Sequence, residues 1–219
     1  MAVMKSRNVP KDAVVLDEME ATTYAWEFVT NWESFSDTWA LRYGPGFLGG
    51  INAMSGILIN RHYRNKLKLG PYGLLASAIP ISVMPGLLTP LFHRHLISTR
   101  MLLMKDEACP ICYEVRSLAI QCGLGIAYPM VLGPLSALMF AHRYGTARIP
   151  DLMEGPKVIF KFVRKMTRPF TGTLTFLTVL QVVASSVVTY FEMKNNITLK
   201  RKVIEIENQL EADLAARNR

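Results

Sequence analysis

Two residue pairs in this chain have types and spacing that could do chemistry. His93-Arg94-His95 sets two imidazoles two positions apart, and Cys109-Pro110-Ile111-Cys112 sets two thiols three apart. Together they offer two nitrogens and two sulfurs, the donor set of a tetrahedral zinc site. The residues between them count against that reading. Leu96-Ile97 and Met101-Leu102-Leu103-Met104 look like interfacial helix rather than a zinc knuckle. Two histidines closing an apolar run read first as side chains snorkelling toward water. His93, His95, Cys109 and Cys112 are therefore only a weak metal candidate, and the expectation is no metal and no cofactor.

The cysteine pair has other uses. A thioredoxin-like centre needs its CxxC to open a helix after a strand, and no βαβ pattern is present. A plain Cys109–Cys112 disulfide fits an oxidising space and free thiols fit a reducing one, with the disulfide favoured. Cys122 lies in an apolar run and reads as a small core residue. The stretch GLGIAYPMVLG from Gly123 follows no strand, so it is not a phosphate loop. No nucleophile with a base and an orienting acid can be assembled. The chain is expected not to be an enzyme.

The elements that must position these residues are apolar helices. Of 219 residues half are hydrophobic and 19% are charged, below the usual share of charge in a soluble domain. The net charge of +8 comes from Lys and Arg that flank apolar runs, as headgroup anchors do, so nucleic acid is excluded as a partner. Four runs are long enough to cross a bilayer core about 30 Å thick. They cover residues 43–60, 69–92, 117–141 and 170–191, and none holds a Lys, Arg, Asp, Glu or His. Proline at 71, 80, 85 and 90 predicts a broken or re-entrant second span. The lack of intramembrane charge argues against a pump or carrier. Asn52, Ser55, Gln121, Gln181, Ser185 and Ser186 read as hydrogen bonds between helices.

Around the spans lie three interaction features. Gly46 and Gly50 form a GxxxG step, and Gly49, Asn52 and Ala53 give a second small-residue row, for packing within the chain or against another protein's helix. Tyr24, Phe28, Trp32, Phe35 and Trp39 recur at helical spacing, which predicts one aromatic face for a membrane surface or a partner. Leu199, Val203, Ile206, Leu210 and Leu214 repeat likewise, which predicts a charged amphipathic helix after the last span. Residues 1–42 are thus an N-terminal amphipathic segment, 43–191 a four-span membrane domain and 192–219 a C-terminal amphipathic helix. The fold class is an all-α membrane protein.

Loop charges put both termini and the Cys109–Cys112 loop on the outer side. The N-terminus has no apolar signal region and carries Asp12, Asp17, Glu18 and Glu20, so no cleavable presequence is expected. Asn196-Ile197-Thr198 matches a glycosylation sequon.

Two blocks carry a resemblance. GGINAMSGILINRHYR from Gly49 and CPICYEVRSLAIQCGLGIAYPMVLGPLSALMFAHRYGT from Cys109 together resemble the transmembrane protein 126 family. The matching positions are Gly50, Asn52, Ala53, Arg61 and Arg64, then Cys109, Cys112, Arg116, Ser117, Tyr128, Pro129, Arg143 and Tyr144. The exit reads Ala-His-Arg-Tyr where the family more usually has Ala-Ala-Arg-Tyr, and the histidine pair is outside the pattern. The resemblance implies a multi-pass protein of the mitochondrial inner membrane that acts as a chaperone-like assembly factor. Its implied partners are membrane subunits of respiratory complex I, other assembly factors and the lipid bilayer. The alternatives are a permanent accessory subunit of a respiratory complex, or a small carrier or channel.

Overall fold

The computed structural model describes residues 16–103, 109–147, 149–150 and 155–217. Among them every regular element is helical. We number six: α1 Glu18–Asn31, α2 Phe35–Lys66, α3 Leu74–Leu102, α4 Pro110–Tyr144, α5 Pro156–Thr167 and α6 Thr171–Arg217. α3, α4 and the run formed by α5 and α6 are long and apolar enough to cross a membrane. The 32-residue α2 is long enough as well, at about 48 Å. It is less apolar because it packs against α3, α4 and α6 and meets protein instead of lipid on those sides.

α1 and α2 are separate helices. Helix α1 ends at Asn31, and Ser34, with extended φ and ψ, opens α2. Arg42 reaches back across the hinge and donates to the carbonyls of Val29 (2.6 and 3.0 Å) and Trp32 (3.0 Å). Those are orphan carbonyls at the end of α1, which need such donors. The five aromatics expected on one helical face are therefore divided. Tyr24 and Phe28 ride on α1, Trp32 sits in the hinge, and Phe35 and Trp39 begin the outward face of α2.

The second span is neither re-entrant nor stopped at residue 92. It starts at Leu74, leaving Pro71 in the preceding turn, and runs 29 residues to Leu102. Two π-helical turns, Ile79–Val83 and Arg94–Ser98, are set into it. Pro85 and Pro90 deprive the carbonyls of Ile81 and Gly86 of their usual donor four residues on. Each of those carbonyls lies against a glycine of α2: a Cβ at Gly56 would run into Ile81 O, and one at Gly49 into Gly86 O and the Pro90 ring. The prolines thus leave α3 helical because α2 covers the gaps with bare backbone.

The turn between α2 and α3 is held by a buried cation. Arg64 donates to the carbonyls of Gly70 (2.7 Å), Tyr72 (2.8 Å) and Gly73 (3.3 Å) and to Ser77 Oγ (2.9 Å). Gly73 has φ +62°, and a side chain there would also strike the Phe140 ring. No break separates the fourth span from the C-terminal helix. α6 continues for 47 residues, about 70 Å, more than twice a bilayer core. The expected domain boundary at residue 192 is absent.

Candidate functional site

The centre of the bundle is polar. α3, α4 and α6 each place polar residues four apart on the face they turn inward: Thr89 and His93, Ser117 and Gln121, Gln181 and Ser185. A four-residue step keeps two side chains on one helical face, so the residues form two layers.

In the first layer, Gln121 Nε2 donates to Gln181 Oε1 (2.5 Å) and to the Leu48 carbonyl (3.3 Å). Gln181 Nε2 donates to Ser55 Oγ (2.8 Å), and Asn52 Nδ2 donates to Thr89 Oγ1 (2.6 Å) and Gln121 Oε1 (3.4 Å). A Cβ at Gly125 would collide with the Asn52 and Gln181 amides, so this glycine makes the room the layer needs.

The second layer contains two ionisable groups. His93 Nε2 lies 3.0 Å from Glu192 Oε2, and Ser98 Oγ donates to Glu192 Oε1 at 3.2 Å. Ser117 Oγ sits 3.5 Å from His93 Nδ1 and 2.6 Å from Ser185 Oγ. His93 is 1% exposed and Glu192 0%, so water satisfies neither. The ring nitrogen and the carboxyl oxygen are each other's hydrogen-bond partners. The π turn Arg94–Ser98 explains why residues 93 and 98 reach the same carboxyl. Five positions apart they would diverge on an α-helix, but the extra residue per turn brings them to one side. α2 makes space at Gly44, where a Cβ would sit 2.8 Å from Val188 and 3.4 Å from Glu192 Oε1.

The four expected spans hold no Lys, Arg, Asp, Glu or His, but the helices run past those bounds and bury two ionisable groups just outside them. Glu192 follows the expected fourth span by one residue, and His93 follows the second by one. Gln181, Ser185, Glu192 and Asn195 trace one buried stripe along α6, which turns Glu192 inward but does not name its partner. The zinc candidate does not assemble. His93 is spent on Glu192, His95 is exposed, and Cys109 and Cys112 are joined as a disulfide at the first turn of α4, their Cα atoms 5.4 Å apart. Among the described residues no cluster of three His, Cys, Asp or Glu could hold a metal.

The small-residue rows part company. Gly49, Ala53 and Asn52 face inward, whereas a Cβ at Gly46 or Gly50 would meet nothing within 4 Å. Trp32 turns into the protein, donates to Asp37 Oδ2 (3.2 Å) and packs beside Val29, Leu41 and Leu199. Trp26, off the expected stripe, ties α1 to α3 by donating to Thr99 Oγ1 (3.0 Å) beneath the Arg94 guanidinium. Trp39 packs on Phe191, and Tyr24 and Phe35 are exposed. Of the C-terminal stripe, Leu199 is buried and Val203 half-buried, while Ile206 and Leu210 are exposed. The Leu214 side chain lies outside the described residues. Asn196 donates to the Met101 carbonyl (3.1 Å) and is buried, so it is no glycan acceptor in this fold.

At the aqueous end of this side, Lys202 Nζ donates to Asp37 Oδ2 at 2.5 Å. That hydrogen bond, opposed by burial and aided by those from Trp32 and Ser34, holds the Asp37 carboxyl below its ordinary range. Of the remaining family positions, Arg61 is exposed, Arg116 half-buried, and Tyr128-Pro129 follows the π turn Gly123–Ala127. Tyr144 stacks on Tyr72 with Arg143 beside it.

Comparison with known proteins agrees with this architecture. A family model described as Transmembrane protein 126 matches residues 27–205. The chain is 41% identical over 209 residues to Transmembrane protein 126 of Drosophila melanogaster, covering 95% of this chain and 94% of that one. It is 29% identical over 152 residues to Transmembrane protein 126A of Mus musculus, covering 69% and 74%. No solved structure matches. A helical bundle with membrane-length spans, matched along nearly its whole length, belongs to the transmembrane protein 126 family.

Proposed function

We propose that this protein is a non-catalytic assembly factor of the mitochondrial inner membrane that binds and stabilises membrane-arm intermediates of respiratory complex I. The observation that carries the reading is the outward face of α2. Gly46 and Gly50 open onto empty space there, bordered by Phe35, Tyr43, Phe47 and Met54, all exposed. A GxxxG step left bare on an apolar helix lets another helix approach closely, and aromatics beside it add contact area. Such contacts are reversible, as the release of an assembly intermediate requires. The family resemblance at Gly49–Arg64 and Cys109–Thr146 supplies the partner class.

A carrier is disfavoured on different grounds from those first given. The bundle does hold a His and a Glu, but both are sealed from solvent and their hydrogen bonds go to each other and to serines.

The test is native-gel complexome profiling of mitochondria carrying a tagged chain. Co-migration with incomplete complex I, and little with the mature enzyme, is expected. Migration only with mature complexes would make it an accessory subunit instead. Gly46→Ile with Gly50→Ile should abolish co-migration while the protein remains folded in the membrane, because a Cβ at either position meets nothing within 4 Å. Unchanged co-migration would remove α2 as the docking face.

A further inference from the structure

We propose that α5, with the helix ends beside it, is a binding surface for anionic phospholipid headgroups of the bilayer. This helix lies between the third and fourth expected spans. Its two faces are sharply divided. Ile159, Phe162, Val163 and Met166 pack on the core cluster around Tyr63 and Leu138. Lys157, Lys161, Arg164, Lys165 and Arg168 follow one another at helical spacing and occupy the opposite face, all five exposed. None of the five side chains makes a hydrogen bond or ion pair among the described residues.

The helix ends nearby enlarge the charge. Arg61, Lys66 and Lys68 at the end of α2 and Arg143 at the end of α4 are exposed as well. Residues 57–76, 138–150 and 155–180 contain no Asp or Glu; Asp151 and Glu154 lie outside the described residues. Among the described residues no carboxylate offsets this field, and a field of this kind selects an anion.

Two observations choose a lipid surface over an acidic protein segment. The first is level. Arg168 stands three residues before Thr171, where α6 begins its apolar passage, so this charge sits where a spanning helix leaves the hydrocarbon. The second is the company the cations keep. Phe160, 70% exposed, and Val158, 39% exposed, flank the cationic arc on either side. A lipid interface accommodates an apolar ring beside a cation, whereas an aqueous charged contact does not reward it.

The experiment uses the purified full-length chain in detergent, offered equal amounts of phosphatidylcholine and phosphatidylglycerol, with retained lipid counted by native mass spectrometry. Near a membrane each Lys or Arg contributes on the order of fivefold in anionic-lipid affinity. The wild-type chain should therefore retain phosphatidylglycerol at least about tenfold over phosphatidylcholine, with the preference falling as salt rises. Lys161→Gln with Lys165→Gln should cut the preference by up to about 25-fold, about fivefold for each charge removed. The matched control Lys194→Gln with Arg201→Gln, two exposed cations at the other end, should leave it unchanged. Near-ultraviolet circular dichroism checks that all variants stay folded.

Equal retention of the two lipids, or equal loss in both double variants, overturns the proposal. Displacement of bound lipid by millimolar inorganic phosphate also overturns it, in favour of a free-anion site. Tighter capture of an acidic peptide than of lipid would turn the surface into a protein interface and overturn it likewise.

Discussion

Glu192 and His93 illustrate how one side chain's setting decides its worth. A buried ion or proton-sharing pair costs desolvation that its own attraction roughly offsets, yet removing one member strands the other. Glu192→Leu or His93→Leu alone should destabilise the bundle by about 3 kcal/mol, and the double variant should recover most of that loss. Thermal unfolding in one detergent across the four proteins measures the coupling; strictly additive losses would mean the two side chains do not act as a pair. Asp37 has the reverse character, since its partner Lys202 is half-exposed. Its folded pKa is depressed, so its contribution is full above the unfolded carboxylate value near about 3.9 and is lost as pH falls through the folded value. Trp32 donates to the same carboxyl, so its fluorescence should report an acid transition below about pH 4 that is missing in Asp37→Asn.

At the scale of elements, what matters is which face of a helix its neighbours cover. Gly49 and Gly56 fill the places where α3 lacks donors, so Gly49→Val and Gly56→Val should each lower the melting temperature by several degrees. Gly46→Ala and Gly50→Ala meet open space and should be neutral or slightly stabilising, because alanine is the better helix former by about 1 kcal/mol. Equal losses at all four would place the wrong face inward. The Cys109–Cys112 bond caps the first turn of α4, with the Cys112 amide donating to the Cys109 carbonyl at 3.1 Å. Alkylation of the unreduced protein should leave both thiols unmodified, and prior reductant should add two labels. Identical labelling with and without reductant would exclude the bond.

For the whole molecule, sequence and fold settle different things. The helical membrane class was legible in long uncharged runs, because of the two backbones that satisfy their own hydrogen bonds in hydrocarbon only the helix needs about 20 apolar residues in a row. The third span, the mild polar residues at Asn52, Ser55, Gln121, Gln181 and Ser185, and the family blocks could all be read from residue type and order. Four matters could not. The aromatic stripe was divided at Trp32, since periodicity cannot see an arginine 10 residues on that caps a helix end. The second span lengthened past its prolines because α2 supplies glycine backbone where α3 lacks donors. The fourth span and the C-terminal helix proved continuous, since nothing at residue 192 breaks an α-helix. Glu192 and His93 were set outside the spans because a charge count treats each run alone, and their partners are 99 residues apart. Sequence by itself determined the solvent each run belongs in, a property of its own side chains. Only the tertiary structure decided which glycine row is covered, which aromatics point outward and which two ionisable groups meet. Those depend on surfaces brought together from distant parts of the chain, and no local pattern encodes them.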